Sequence, residues 1–105
     1  MTKSIRNSAV LALAISLAGA MSFAQSSGEA TYKAKCQMCH GATGVPNPGM
    51  AKMMGIKPVS DPEIKKLTVE QVEATVKSGK NKMKPIAGLS DAQVKAVAEY
   101  FKSLK

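Results

Sequence analysis

The sequence predicts an all-α domain built of three main helices plus a short one. Two positive observations and one absence predict it. Apolar residues recur at three- and four-residue steps, at Val69, Val72 and Val76 and again at Val94, Val97, Ala98, Phe101 and Leu104. That spacing lines them along one side of a helix. Helix-start signals stand just ahead of these runs, as a Ser or Thr followed three residues later by Gln. The apolar–polar alternation of a half-buried strand is nearly absent.

The elements follow in order. Ser26-Ser27-Gly28-Glu29 has capping-box spacing, so a first helix starts at about Gly28. It runs into Cys36-Gln37-Met38-Cys39-His40, with Tyr32, Cys36 and Cys39 along one side. Gly41, Gly44 and Pro46 end it and open a loop. Asn47-Pro48 is an N-cap followed by Pro at the first helical position, and a short helix through Met50, Met53 and Met54 stops at Gly55. Pro58 and Pro62 make the next stretch a loop with a turn of helix. Thr68-Val69-Glu70-Gln71 is a second capping box, and its helix closes at Gly79. Residues 80–89, with Pro85 and Gly88, are irregular. Ser90-Asp91-Ala92-Gln93 starts the last helix.

Residues 1–24 have the layout of a secretory signal peptide. Lys3 and Arg6 form a basic start, an apolar run from Ala9 to Ala20 follows, and Ser22-Phe23-Ala24 offers small residues for cleavage before Gln25. The apolar run is shorter than the roughly 20 residues that span a bilayer comfortably. An uncleaved N-terminal anchor is the alternative. No Cys follows the cleavage site to receive a lipid, and nothing later is apolar enough to cross a membrane. The expected product is one domain, residues 25–105, soluble and periplasmic.

Losing residues 1–24 removes Lys3 and Arg6 and no acid, so the formal charge falls from +8 to +6. All remaining basic residues are Lys. With no Trp and no Arg left, stacking on bases and forked phosphate contacts are poorly supplied, which argues against nucleic acid. Lysines suit fast, weak, salt-sensitive encounters with an acidic protein surface. Solvated surface is the plain alternative for any one of them.

The chain's 2 cysteines and 1 histidine all fall inside Cys36-Gln37-Met38-Cys39-His40. C-x-x-C-H is the attachment pattern of c-type haem. Two thiols one helical turn apart can form thioethers with the two vinyl groups on one haem edge, and the next residue, His40, is carried to the iron. A thiol–disulfide motif would explain Cys36 and Cys39 but leave His40 unused. As a disulfide the pair would close only a four-residue ring, which constrains little. A haem placed inside so small a chain would also complete a core that is otherwise modest.

An iron held by one His needs a partner on its other face, from Met, Lys, water or an open site. Of the 7 methionines, Met1 and Met21 leave with the signal, and Met38 is trapped between the two thiols. Met50, Met53 and Met54 sit on the short helix, where Met is more often filler. Met83 sits in a loop, Gly79-Lys80-Asn81-Lys82-Met83-Lys84-Pro85, flanked by lysines, so burial alone does not explain it. Met83 is the leading candidate, with Met53, Met54 and an open site behind it.

These segments resemble the class I c-type cytochromes, the small monohaem electron carriers, over nearly all of the chain from Gly28 to Leu104. The resemblance rests on Gly28-Glu29-Ala30-Thr31-Tyr32 leading into Cys36 to His40 and Gly41, on the Met83 loop, and on Leu89 through Gln93 with the helix ending Glu99-Tyr100-Phe101. It implies a cytochrome c fold wrapped around one covalent haem c, with Cys36 and Cys39 attached, His40 proximal and Met83 distal. It also implies that the first and last helices cross closely, Gly28 and Tyr32 meeting Val97 and Tyr100. The chain departs from many members in lacking a Trp before the methionine loop and in carrying a Met- and Pro-rich insert between Pro46 and Pro58.

The function implied is one-electron transfer without a net reaction, because an iron bound by both His and Met has no place for a substrate. The expected protein is a monomeric periplasmic carrier, not an enzyme. Its partners would be acidic-surfaced redox proteins or membrane redox complexes, met through Lys33, Lys35, Lys80, Lys82 and Lys84 around the haem edge. Three alternatives compete: a haem-bearing structural subunit of a membrane oxidase or dehydrogenase complex, a gas or redox sensor with a displaceable Met, and a thiol–disulfide enzyme.

Overall fold

The computed structural model describes residues 27–105. The proposed signal peptide and Ser26 of the first capping box lie outside the described residues. Six helical segments follow one another: α1 over residues 27–35, α2 Gln37–His40, α3 Pro48–Met54, α4 Pro62–Lys65, α5 Val69–Ser78 and α6 Asp91–Ser103. The described residues are all-helical, as the expected fold requires, and hold no strand, only an isolated bridge between Lys80 and Met83. The three main helices are α1, α5 and α6. The short ones number three rather than one, because the haem-motif helix and the turn at Pro62 stand as separate segments.

Local chemistry accounts for the helix starts. Thr68 Oγ1 accepts from Gln71 N at 3.1 Å while Thr68 N donates to Gln71 Oε1 at 2.9 Å. Ser90 and Gln93 do the same at the head of α6, at 3.1 and 2.8 Å. Each reciprocal pair satisfies amides that the helix itself leaves without a partner. Asn47 caps α3 and Asp61 caps α4, each with Pro at the first helical position. One expectation fails in detail. The first helix does not run unbroken into the motif: Cys36 is a turn residue with φ −118°, and the chain re-enters helix at Gln37.

Packing centres on α6. Its residues Val94, Val97 and Ala98 are buried, as are Val72 and Val76 of α5, which lies against it. On its other side α6 meets α1. A Cβ added to Gly28 would lie 2.4 Å from the Ala96 carbonyl oxygen and 3.0 Å from Tyr100 Cβ, so the backbones touch there. Gly28 thus meets Tyr100, as expected, beside the Ala96 carbonyl. Tyr32, 1% exposed, is the one large side chain fully buried among the described residues. Its ring lies 5.4 Å from Tyr100 and 6.5 Å from Phe101, centroid to centroid. Aromatic pairs at such distances in tilted arrangements contribute beyond their buried area.

The rest of the core is thin. It consists of Tyr32, Val59, Val72, Val76, Val94, Val97 and Ala98. No Leu, Ile, Met or Phe among the described residues is buried; Ile56, Ile64, Leu67, Met83, Ile86, Leu89, Phe101 and Leu104 are all half-exposed. The chain thus carries its bulkiest apolar side chains outside its own core, where water would oppose them by about 25 cal/mol per Å² of apolar surface.

Two expectations follow for stability. Gly28→Val places methyl groups against backbone that cannot swing away, and denaturant unfolding of the holoprotein should show a loss of about 1–3 kcal/mol. Unchanged stability would mean that α1 and α6 do not approach so closely. Burial, then the nearby Cys36 and Tyr100, raise the Tyr32 phenol to about 12. The unfolded chain ionises near its ordinary value of 10.0, so it loses this proton first. Stability from this group is complete below pH 10 and lost as pH rises through 12. A stability–pH titration should show a steeper alkaline fall in the wild type than in Tyr32→Phe, and parallel curves would count against a buried neutral phenol.

Candidate functional site

The candidate site begins where α1 ends. The Cys36 amide donates to the Tyr32 carbonyl at 2.8 Å, and the Cys36 carbonyl then accepts from both Cys39 N, at 3.2 Å, and His40 N, at 2.9 Å. This one-turn geometry places Cys36 and Cys39 a helical turn apart with His40 beside the second thiol. Gly41 N closes α2 on the Gln37 carbonyl at 2.8 Å. Tyr32 reaches over this turn and its Oη donates to the Gly41 carbonyl at 2.5 Å. Both ends of the five-residue motif are therefore tied to the α1–α6 crossing.

His40 lies edge-on to Phe101 of α6, with ring centroids 5.7 Å apart and planes 73° apart. Burial holds the imidazole below its usual range, which keeps it neutral and able to donate a lone pair. Cys36 and Cys39 are both free thiols and half-buried. Burial, with Cys39 next to it, pushes the Cys36 thiol up. Met38, between the two thiols, is 88% exposed.

Met83 sits on a tight turn after α5. Lys80 N donates to the Met83 carbonyl at 3.0 Å and Met83 N donates to the Lys80 carbonyl at 2.9 Å. Asn81 takes the left-handed conformation between them, with φ 54°. Gly79, at φ 74°, allows the chain to double back, since a Cβ there would lie 2.6 Å from the Met83 carbonyl. Beyond the turn, Ile86 N donates to the Val76 carbonyl at 2.9 Å and returns the chain to α5. Met83 is half-buried, Met50 and Met54 likewise, and Met53 is 63% exposed.

Lys33, Lys35, Lys80, Lys82 and Lys84 are all exposed, and two of them also make contacts. Lys33 pairs with Glu29 at 2.9 Å, and Lys82 donates its Nζ to the Met53 carbonyl at 2.9 Å. Two features escaped sequence reasoning. Phe101 was legible as a core position of α6 but not as the neighbour of His40. The Lys82–Met53 link spans 29 residues and has no local signal.

The donor set suits a c-type haem: two free thiols one turn apart, a neutral imidazole beside them, and thioether sulfurs on half-buried methionines. The half-exposed Ile, Leu, Met and Phe side chains fit the same group, because a flat apolar ring system is what such side chains can cover.

A family model described as cytochrome c oxidase, cbb3-type, subunit III matches residues 23–101. No curated protein and no solved structure matches the chain. The match spans most of the sequence, including the motif, the Met83 turn and nearly all of α6, and it agrees with the helical architecture. The chain thus belongs to this family and is a class I c-type cytochrome, a domain of haem-based electron transfer.

Proposed function

We propose that the chain is a periplasmic one-electron carrier, exported by residues 1–24 and folded over residues 25–105 around a single covalent haem c. The observation that carries this reading is the motif itself. Two free thiols lie one turn apart, and a half-buried, neutral His40 is braced by Phe101. Cys36 and Cys39 would hold the haem covalently, and His40 and Met83 would be the ligands to its iron. Bound there, the group supplies a one-electron iron couple.

The protein side chains set its character. His40, kept neutral by burial, offers its lone pair at physiological pH. Met83 is a neutral, soft donor that favours the reduced metal and raises the potential relative to a second His. With His40 and Met83 both on the iron, no position would remain for a substrate, and the protein would carry electrons without catalysing a net reaction. Lys35, Lys80 and Lys84 provide exposed positive charge for brief encounters with acidic redox partners, on small interfaces of the order of 1,200 Å² or less.

One observation favours a second reading. The matched family is described as an oxidase subunit, which supports a haem-bearing subunit held permanently in a membrane oxidase complex. Among the described residues no helix is long and apolar enough to cross a membrane. Such a subunit would therefore be held by protein contacts or by its N-terminal segment.

Absorption spectra of the exported protein test the ligand set. The wild type should show c-type bands on reduction and a weak far-red sulfur-to-iron band when oxidised. Met83→Ala should lose only the far-red band, while Met53→Ala and Met54→Ala keep it. Survival of the band in Met83→Ala would move the ligand to α3, and a colourless folded protein would sink the haem assignment. Cell fractionation separates the two roles. A carrier is released with the periplasmic fraction, whereas persistent co-purification with a membrane oxidase after signal cleavage selects the subunit.

A further inference from the structure

The insert between Pro46 and Pro58 has no role in the proposed ligand set, yet it is well built. Asn47 Oδ1 accepts from Gly49 N at 2.9 Å, Pro48 opens the helix, and Gly55 closes it in the left-handed conformation at φ 69°. The two amides that end α3, those of Gly55 and Ile56, both donate to the Ala51 carbonyl. The Met53 carbonyl, in the last turn, takes the Lys82 ammonium instead, at 2.9 Å. A cation at that end also meets the negative pole of the helix.

Lys82 is the residue immediately before Met83, on the same closed turn. One side of that turn is returned to α5 through Ile86 N and the Val76 carbonyl. Among the described residues, the Lys82 contact with α3 is a second hydrogen bond that ties this segment to another element. We propose that Lys82 is a positioning residue for Met83, and that the α3 insert serves as the anchor to which it straps the methionine turn. This rests on Met83 being the distal ligand. Because the turn is short and doubly hydrogen-bonded, fixing Lys82 restricts how far the neighbouring thioether can swing away. The strap would slow and disfavour opening of the Met83 side of the iron, without touching His40.

Titration of the oxidised holoprotein with imidazole, which competes for the position Met83 would hold, reads this opening through loss of the far-red band. Lys82→Ala should bind imidazole roughly three- to tenfold more tightly than the wild type, the scale of one charge-assisted hydrogen bond at an exposed site. Lys82→Arg keeps a donor and should stay within about twofold of the wild type. Lys80→Ala and Lys84→Ala remove the same charge from the same loop and should also stay within about twofold. Asn47→Ala, which loosens α3, should shift affinity the same way in the wild type and add little in Lys82→Ala. An unchanged Lys82→Ala, or an equal shift in Lys80→Ala and Lys84→Ala, overturns the strap. If the far-red band is absent from the wild type or survives Met83→Ala, the ligand assignment falls and the strap with it. If the band is lost in Met83→Ala while Lys82→Ala behaves as wild type, only the strap falls.

Discussion

Tyr32 stands at the junction on which the other parts depend. It comes from α1, stacks on Tyr100 and Phe101 of α6, and donates to the carbonyl of Gly41, where the motif helix ends. Without Gly28 one turn earlier, the α1 backbone could not come close enough to α6 for this stacking to form. A buried phenol must keep a hydrogen bond, and the partner available is the end of α2. The same constraint that satisfies Tyr32 therefore fixes where Cys36, Cys39 and His40 lie.

From this junction two supports reach the site by different routes. The His40 side is held by close packing on α6, where Phe101 meets the imidazole edge-on. The Met83 side is held by hydrogen bonds: a closed turn, a return to α5 through Ile86, and Lys82 on the end of α3. The first support is stiff because packed aromatic rings resist displacement. The second depends on a solvent-exposed contact, which is weaker and easier to vary. If His40 and Met83 hold the iron as proposed, one ligand would be firmly seated and the other would be open to tuning by its loop chemistry.

The unusually thin protein core has the same origin. Small Val and Ala side chains fill the contacts between α5 and α6, while Ile, Leu, Met and Phe stay half-exposed. In a chain this short, stability is marginal without an additional apolar partner. The family's haem chemistry and the distribution of apolar surface thus point to the same requirement, because a haem supplies both a redox centre and the missing bulk.

Much of the fold was legible in the residues. The caps at Asn47, Thr68 and Ser90, the stops at Gly55 and Gly79, and the apolar stripes of α5 and α6 act within four residues, and the helices follow them. The five-residue motif was equally local, since its chemistry lies in the spacing of Cys36, Cys39 and His40. Other features were decided by the tertiary structure. The break at Cys36 replaced an unbroken helix, Gly28 met the Ala96 backbone, Phe101 became the neighbour of His40, and the exposed Lys82 reached the Met53 carbonyl. Each of these joins elements far apart in sequence, or bends one to suit another. A cap or a turn is chosen by the energies of adjacent residues. Which side chains meet across the molecule is chosen by how the helices pack once formed, and no short-range pattern encodes that.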